Sequence, residues 1–427
     1  MEPLSPAFAQ RLPQSVTRRD VLRRAALLGL SFALPPLPAR AAEMRGRERP
    51  KSLITLWLEG GPSQLETWDP HPGSKSGGPT KAIRTHVPDL QIAEFYPRLA
   101  EEIGYLNVIR SLTSKEGDHE RGSYFLKTGY RPEPTLVHPA LGAIVSHQLP
   151  VAGLEIPRHI SLAASQYASR GGFLGDEYDA FKVLDPRSKL QNLTSRVDDS
   201  RRRRRLDNLR QIEDVFSRRR PQAQATLHGE TVQRAVAMMD SAQLRAFDVA
   251  QEPAAVRDAY GNTLFGHGCL VARRLVETGV RAVEVTLSGF DSHTKNFETH
   301  KQNGTILDPA FAALIRDLRE RDLLASTVVL CIGEFGRTPS INPLDGRDHW
   351  PQGFSCVVGG GGLRKGLVIG ATDPENRRKE PESPVAVKDL FATVLKTLGI
   401  TWNRELITPI GRPMKLSDGT PLARLFS

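Results

Sequence analysis

The residues best suited to chemistry in this 427-residue chain lie in the stretch GFDSHTKNF, at 289–297. A carboxylate and an imidazole, Asp291 and His293, follow directly on the alternating apolar run VEVTL, which is typical of a strand. Taken alone, Asp291 could cap a turn and His293 could be a hydrogen-bonded loop residue. His300, at the edge of the next helical pattern, is predicted to be structural.

Two later segments carry groups of the same kind. EFGRTP follows the apolar run VVLCIG and contains Glu334 and Arg337, and GRDHWP contains Asp348 and His349. A buried carboxylate such as Glu334 must be paired or coordinated, whereas His349 could be a packed, hydrogen-bonded residue. Carboxylate oxygen and imidazole nitrogen together suit zinc, manganese or iron, whereas calcium prefers oxygen alone. We therefore predict a divalent-metal site, with zinc as the first choice and manganese or calcium as alternatives.

The segment LEGGPSQLETWDPHP ends the first predicted strand and adds further polar groups. Its Gly60–Gly61 pair lets the backbone turn sharply or approach a ligand closely. Glu66 and Asp69 add carboxylates. Ligands bind at the carboxyl ends of the strands in open α/β sheets, so these segments are expected to meet. The predicted ligands of one or two ions are Asp69, Asp291, His293, Glu334 and His349.

The second predicted strand is followed by candidate catalytic groups. Hydroxyls stand at Ser111, Thr113 and Ser114, and an imidazole stands at His119. Any of these could act as a nucleophile if a neighbouring base or cation activates it. Arg337 could contact an anionic substrate and stabilise its developing charge.

A scaffold for these groups is predicted from residue 51 onward, where short β-type runs alternate with helical patterns. Strands are predicted at 52–58, 105–112, 280–287, 326–333 and 355–360. Helices are predicted at 262–278, 307–325 and 387–399. Asp308 and Pro309 are expected to be the N-cap and the first residue of the second helix. The alternation predicts a doubly wound α/β fold.

Composition indicates a soluble globular protein, since 39% of the residues are hydrophobic and 25% are charged. The net charge of +10 comes from two segments, 1–41 at +4 and 182–220 at +7, and the remainder is close to neutral. No nucleic-acid partner is therefore predicted for the main body. Cys269, Cys331 and Cys356 form no C-x-x-C pair and are predicted to be small buried residues.

The N-terminal segment ending at Ala41 has the three-part form of a cleavable export signal. Its apolar run, from Ala25 to about Leu37, is shorter than the roughly 20 residues that a bilayer crossing needs. The Arg18–Arg19 pair resembles a twin-arginine signal. We therefore predict periplasmic or envelope localisation, with no transmembrane segment after signal removal, and one domain over 42–427.

Residues 186–255 depart from the strand–helix rhythm and are predicted to form a helical insertion. RRRRR at 201–205 and SRRR at 217–220 make it strongly basic. A solvated helical face is the simplest interpretation. A docking surface for acidic lipid, glycan or another polyanion is the alternative.

The pieces GGPSQLETWDP, HERGSYFLKTG, GFDSHTKNF, EFGRTP, GRDHWP and VIGATD resemble the exported bacterial family known as domain of unknown function 1501, over about residues 51–400. That family is placed in the alkaline phosphatase and sulfatase superfamily. The resemblance implies a three-layer α/β sandwich around a mixed, mostly parallel sheet. It also implies metal-dependent hydrolysis of phosphate or sulfate esters. Asp291 and His293 match the superfamily's metal loop. Glu334 stands where an aspartate is usual, and His349 resembles its late metal-binding histidine.

The resemblance fails at the nucleophile. Sulfatases carry a C/S-x-P-S-R signature shortly before a Thr-Gly pair, whereas Thr128–Gly129 is preceded here by GDHERG, which contains His119. Formylglycine sulfatase activity is therefore not expected. The predicted function is an exported hydrolase of anionic small-molecule or glycan esters. The alternative is a non-catalytic envelope protein of the same fold that binds glycan, lipid or a partner protein.

Overall fold

The computed structural model describes residues 51–217, 222–373, 375, 378 and 380–426. The predicted export signal, with its twin arginines, lies outside the described residues. Within these ranges, none of the helices combines the length and apolar character that a bilayer crossing requires.

Fifteen strands occur in the described residues: β1 (Ser52–Glu59), β2 (Ala82–Arg84), β3 (Gln91–Ala93), β4 (Leu106–Thr113), β5 (His159–Leu162), β6 (Phe181–Val183), β7 (Ala282–Ser288), β8 (Thr327–Ile332), β9 (Gly336–Arg337), β10 (His349–Trp350), β11 (Phe354–Gly360), β12 (Val368–Ile369), β13 (Val385–Ala386), β14 (Glu405–Ile407) and β15 (Pro413–Lys415). Nine α-helices accompany them: α1 (Pro97–Glu102), α2 (His119–Thr128), α3 (Leu141–Gln148), α4 (Asp199–Ser217), α5 (Gln222–Met239), α6 (Ala254–Tyr260), α7 (Leu264–Thr278), α8 (Asn296–Glu320) and α9 (Val387–Thr397).

The central sheet has the strand order β12-β4-β11-β8-β1-β7-β5-β6, and β13 also pairs with β4. Its strands run in one direction except β11, which is antiparallel to both β4 and β8. This mixed, mostly parallel sheet confirms the predicted α/β class. Because β1, β4, β7 and β8 share one direction, their carboxyl ends lie at the same edge of the sheet, which we call the carboxyl edge.

Helices cover both faces of the sheet. Along β1, Ile54, Leu56 and Leu58 pack into a buried cluster with α7 and α8, whereas Leu53 and Trp57 pack into a second cluster with α2, α3 and α9. Alternate side chains of one strand point to opposite faces, so a strand buried in this way needs an apolar layer on each side. The result is the three-layer arrangement that the family resemblance implied.

The predicted strands, and the predicted helices at 262–278 and 387–399, are confirmed with small shifts of their ends. The three cysteines are buried, as predicted. The predicted start of the helix at 307 is wrong, because α8 begins at Asn296 and contains Asp308 and Pro309. The Asp308 carboxylate instead accepts hydrogen bonds from the backbone N–H groups of Arg98 and Leu99, at 3.1 and 2.8 Å. Asp308 therefore caps the first turn of α1, a contact that the local sequence does not reveal.

The segment predicted as an insertion contains α4 and α5, which contact each other. Arg202 Nη1 lies 3.1 Å from Asp240 Oδ1, and His228 Nδ1 lies 2.5 Å from Glu213 Oε1. Most of the described side chains of α4 are exposed.

Candidate metal centre

Segments that follow three strands of the sheet converge at the carboxyl edge. β7 leads into the loop with Asp291 and His293, and β8 leads into Glu334. β4 is followed by α2, which begins at His119. His349 lies in β10, which pairs with β9 just beyond β8. The parallel direction of the strands thus brings together groups that are far apart in the chain.

Three histidine Nε2 atoms surround the Asp291 carboxylate. His119 Nε2 lies 3.4 Å from Oδ2, while His293 Nε2 and His349 Nε2 lie 3.3 and 3.4 Å from Oδ1. The Nε2 atoms of His293 and His349 are 3.0 Å apart. Ligand atoms of His119, Asp291 and His349 all lie within 4.8 Å of one another.

The other ring nitrogens of two of these histidines face hydrogen-bond acceptors. His119 Nδ1 lies 2.8 Å from Glu334 Oε1, and His349 Nδ1 lies 2.7 Å from the Gly117 carbonyl oxygen. An ionised carboxylate and a carbonyl can only accept, so each Nδ1 carries the proton and donates it. In the neutral rings the Nε2 atoms are therefore unprotonated, the form that binds a metal.

His293, the most exposed of the three histidines, also has an Nδ1 atom that faces a hydrogen-bond acceptor. Its Nδ1 lies 3.0 Å from Asp348 Oδ1, and Asn342 Nδ2 donates to the His293 carbonyl oxygen at 2.9 Å. The hydrogen bond with His293 lowers the pKa of Asp348. A carboxylate or carbonyl behind each imidazole is the usual arrangement around protein-bound zinc, where it fixes the ring and its tautomer.

The ligand atoms of His119, Asp291 and His349 are close enough to hold one metal ion. Bonds of about 2.0–2.1 Å in a tetrahedral site place neighbouring ligand atoms roughly 3.3 Å apart. The histidine Nε2 atoms lie 3.3–3.4 Å from the Asp291 oxygens, and His119 Nε2 has no hydrogen-bond partner among the described residues although it is buried. Three imidazoles and one carboxylate suit zinc or manganese better than calcium.

Electrostatics keep the central carboxylate ionised. Burial alone would raise the pKa of Asp291, but the hydrogen bond and charge of Arg337 outweigh it and lower that pKa to about 2. The hydrogen bond to Glu334 raises the pKa of His119, whereas burial lowers the pKa of His349. An anionic oxygen therefore faces the imidazoles throughout the neutral range.

Arg337 fixes the position of the Asp291 carboxylate through its guanidinium group. Its side chain is fully buried, and Nη2 donates to Asp291 Oδ1 at 2.6 Å and to the Gly60 carbonyl oxygen. Nε and Nη1 donate to the carbonyl oxygens of Gly61 and Arg347, at 2.9 and 3.0 Å. The contact between Arg337 and an anionic substrate stays a prediction; here all three nitrogens donate to protein groups and the side chain is buried.

Glu334 is also fully buried, and the Gly60 N–H donates to its Oε1 at 2.9 Å. Gly60 has φ +111°, and a Cβ at this position would lie 2.4 Å from the backbone nitrogen of Asp291. The close backbone approach predicted for Gly60 thus occurs, between the end of β1 and the loop after β7. The approach fixes Glu334 and Asp291 relative to each other.

Asp69 is not brought to this group, and its predicted ligand role has no support here. It is buried and accepts hydrogen bonds from the backbone N–H and hydroxyl of Thr372, at 2.8 and 2.7 Å. Arg110 Nε lies 3.3 Å from its other oxygen. Both oxygens of Asp69 are occupied by contacts that join distant loops, away from the Asp291 group.

The hydroxyls predicted as nucleophiles also bond elsewhere. Ser111 Oγ donates to the Ser383 carbonyl oxygen at 2.8 Å, and Thr113 Oγ1 donates to that of Val385 at 3.4 Å. Ser114 Oγ accepts from the Glu116 N–H at 3.1 Å. Of the predicted catalytic groups, the structure brings only His119 and Arg337 to Asp291.

His300 is structural, as predicted. It is fully buried, its Nδ1 donates to the Asn296 carbonyl oxygen at 2.8 Å, and its Nε2 accepts from the Ser63 N–H at 2.9 Å. Burial lowers the pKa of His300 to about 4. Both ring nitrogens are therefore satisfied only in the neutral ring.

This environment predicts a pH dependence of stability. Above pH 6.5 the ring is neutral in both states; as pH falls from about 6.5 to 4, only the unfolded chain takes up the proton, so stability is lost, by about 3 kcal/mol in total. The variant His300→Gln should be less stable at neutral pH and should lose less on acidification. Urea unfolding at several pH values measures both effects, and an unchanged slope in the variant would contradict the assignment.

Sequence reasoning missed two parts of the centre. The Gly117 carbonyl that fixes His349 is a backbone group, for which the sequence carries no signal. Asp348 directly precedes His349 in the chain, but its side chain contacts His293, 55 positions away. The only sequence signal for a role of Asp348 was its position next to His349, a predicted ligand.

Several solved structures are similar to this chain. A 2-O GAG sulfatase shares 9% identity, with a TM-score of 0.41 over 89% of this chain and 75% of that one. A Pseudoalteromonas sp. sulfatase shares 11% identity, with a TM-score of 0.36 over 85% and 70%. A Vibrio parahaemolyticus protein in the alkaline phosphatase superfamily shares 11%, with a TM-score of 0.36 over 83% and 67%. Likenesses of this size do not define an activity for this chain.

No curated protein matches the chain. A family match, by contrast, spans residues 50–426, which is nearly all of the segment after the predicted export signal. It also covers every residue of the candidate metal centre. The chain belongs to the family described as "Protein of unknown function (DUF1501)".

Proposed function

We propose that this chain is an exported, metal-dependent hydrolase of phosphate or sulfate esters, with zinc as the preferred ion. The observation that carries the proposal is the convergence of three histidine Nε2 atoms on the Asp291 carboxylate, at 3.3–3.4 Å. The ligands we assign are His119, Asp291, His293 and His349. Glu334, which the sequence suggested as a ligand, orients His119 in this proposal.

A divalent cation bound here would polarise an ester oxygen and neutralise charge on the group being transferred. The chain's own residues prepare the site for it. Glu334 and Asp348 fix the Nδ1 protons of His119 and His293, so that both Nε2 atoms face inward. Arg337 fixes Asp291 and keeps it ionised.

The nucleophile we propose is water. The hydroxyls of Ser111 and Thr113 donate to backbone carbonyls, and His119 is used as a ligand. Attack of water on the phosphorus or sulfur atom breaks its bond to the ester oxygen and releases an alcohol together with phosphate or sulfate. The exposure of His293 and Asp291, at 46% and 48%, supports access of an ester to this side of the group.

Chelation tests the proposal. Dialysis against a chelator should lower hydrolysis of an aryl phosphate or aryl sulfate by about a hundredfold or more, and zinc should restore it. Far-ultraviolet circular dichroism before and after dialysis controls for unfolding. Hydrolysis that survives complete metal removal would contradict the proposal.

One observation favours the non-catalytic alternative, a ligand-binding envelope protein of the same fold. None of the predicted hydroxyl nucleophiles faces the candidate metal centre. A zinc-loaded chain that hydrolyses neither aryl phosphates, aryl sulfates nor sulfated glycans, but binds one of these glycans, would support this alternative.

A further inference from the structure

One side of the helix α4 exposes three arginines and, farther along, two aliphatic side chains to solvent. Arg201, Arg204 and Arg205 lie within about one turn of each other, and Ile212 and Val215 follow seven and ten positions after Arg205. Residues three or four apart are neighbours on a helix surface, so these five side chains lie on one side. We call them the outer face of α4. Over about 14 residues at 1.5 Å each, this face extends about 21 Å.

The acidic residues of α4 lie on other sides of the helix, at Asp199, Asp207, Glu213 and Asp214. Arg202 and Glu213 mark the side that faces α5: Glu213 pairs with His228 of α5, and Arg202 pairs with Asp240, directly after that helix. The basic charge of the outer face is therefore not neutralised by acidic groups of its own helix.

The outer face has no partner in the part of the chain that the structure describes. The Arg201 backbone N–H donates to Asp198 Oδ1 at 2.8 Å, but the guanidinium groups of Arg201, Arg204 and Arg205 make no hydrogen bond or ion pair with the described residues and are exposed. Ile212 is 64% exposed and Val215 is 61% exposed. An occupant that is both anionic and apolar would engage the three arginines together with the two aliphatic side chains.

An anionic phospholipid surface meets both requirements. Its phosphates attract arginines, and its acyl region accepts aliphatic side chains from a helix that lies flat on it. A soluble polyanion offers nothing to Ile212 and Val215.

We propose that the outer face of α4 binds the surface of an anionic phospholipid membrane. The helix lies parallel to the bilayer, with the arginines among the phosphates and the two aliphatic residues inserted. This inference does not rest on the proposed hydrolase function.

Co-sedimentation of the full chain with phosphatidylglycerol–phosphatidylcholine vesicles tests the proposal. The double variant Arg204→Gln/Arg205→Gln should bind at least about tenfold more weakly, since each arginine near an anionic surface contributes about fivefold. The matched control is Arg203→Gln/Arg210→Gln, which removes the same charge from another side of α4. The control should bind nearly as the unmodified chain does, and equal losses in the two variants would overturn the proposal.

A second variant separates lipid from a soluble polyanion. Ile212→Ser/Val215→Ser should weaken binding to the anionic vesicles and leave binding to polyphosphate unchanged. Vesicle binding unaffected by these serines would overturn the membrane assignment in favour of simple charge attraction. Circular dichroism of each variant shows whether its helices are retained, and ester hydrolysis should be unchanged in all of them.

Discussion

Replacing Asp291 with alanine should abolish zinc retention and lower ester hydrolysis by about a hundredfold or more. Asp291 is the one carboxylate within 3.5 Å of three histidine Nε2 atoms, among the described residues. Without it, the imidazoles of His119, His293 and His349 would lose the anion that they share. Zinc per chain, measured by mass spectrometry after exhaustive dialysis, reports the effect without requiring any activity.

The matched control for this experiment is Asp69→Asn. Asp69 is also a carboxylate that the sequence suggested as a ligand, but its contacts are with Thr372 and Arg110. This variant should keep its zinc, because the amide oxygen can still accept from Thr372. Equal zinc loss in the two variants would contradict the ligand assignment.

The second large effect concerns a buried ion pair beneath the centre. Arg347 and Glu66 are both fully buried; Arg347 Nη2 lies 2.9 Å from Glu66 Oε1, and its Nε lies 3.1 Å from Oε2. The Arg347 N–H donates to the carbonyl oxygen of Ser292, which lies between two candidate ligands. Replacing Glu66 with leucine strands the guanidinium charge and should lower the free energy of unfolding by about 3–5 kcal/mol.

A double variant distinguishes the stranded charge from a simple packing loss. Glu66→Leu/Arg347→Met removes both charges and should recover much of the stability that Glu66→Leu loses, as measured by urea unfolding. A double variant less stable than the single one would show that the cost lies in packing, and the ion-pair explanation would be wrong.

The fold was largely predictable because its signals are local. The apolar run VVLCIG predicted β8, and the alternating run VEVTL predicted β7, each within a few residues of its bounds. The common direction of these strands then predicted that Glu334, Asp291 and His293 would approach one another. The predicted helix start at Asp308 was wrong because this residue caps α1 instead, 210 positions away in the chain.

The candidate centre was predictable in composition but not in detail. Residue types indicated a mixed carboxylate and imidazole group. They could not show that Glu334 orients His119 while Asp69 turns to Thr372, because both contacts join loops from distant parts of the chain. Nor could they show the burial of Arg337, which depends on the carbonyls of Gly60 and Gly61.

X-ray absorption of the zinc-loaded chain tests the central claim most directly, since it reports the atoms around the ion. Zinc bound by His119, Asp291, His293 and His349 should show a first shell of nitrogen and oxygen at about 2.0–2.1 Å, with the outer-shell scattering of at least two imidazoles. That scattering should weaken in His349→Ala. A sulfur shell near 2.3 Å, or a spectrum without imidazole scattering, would contradict this ligand assignment.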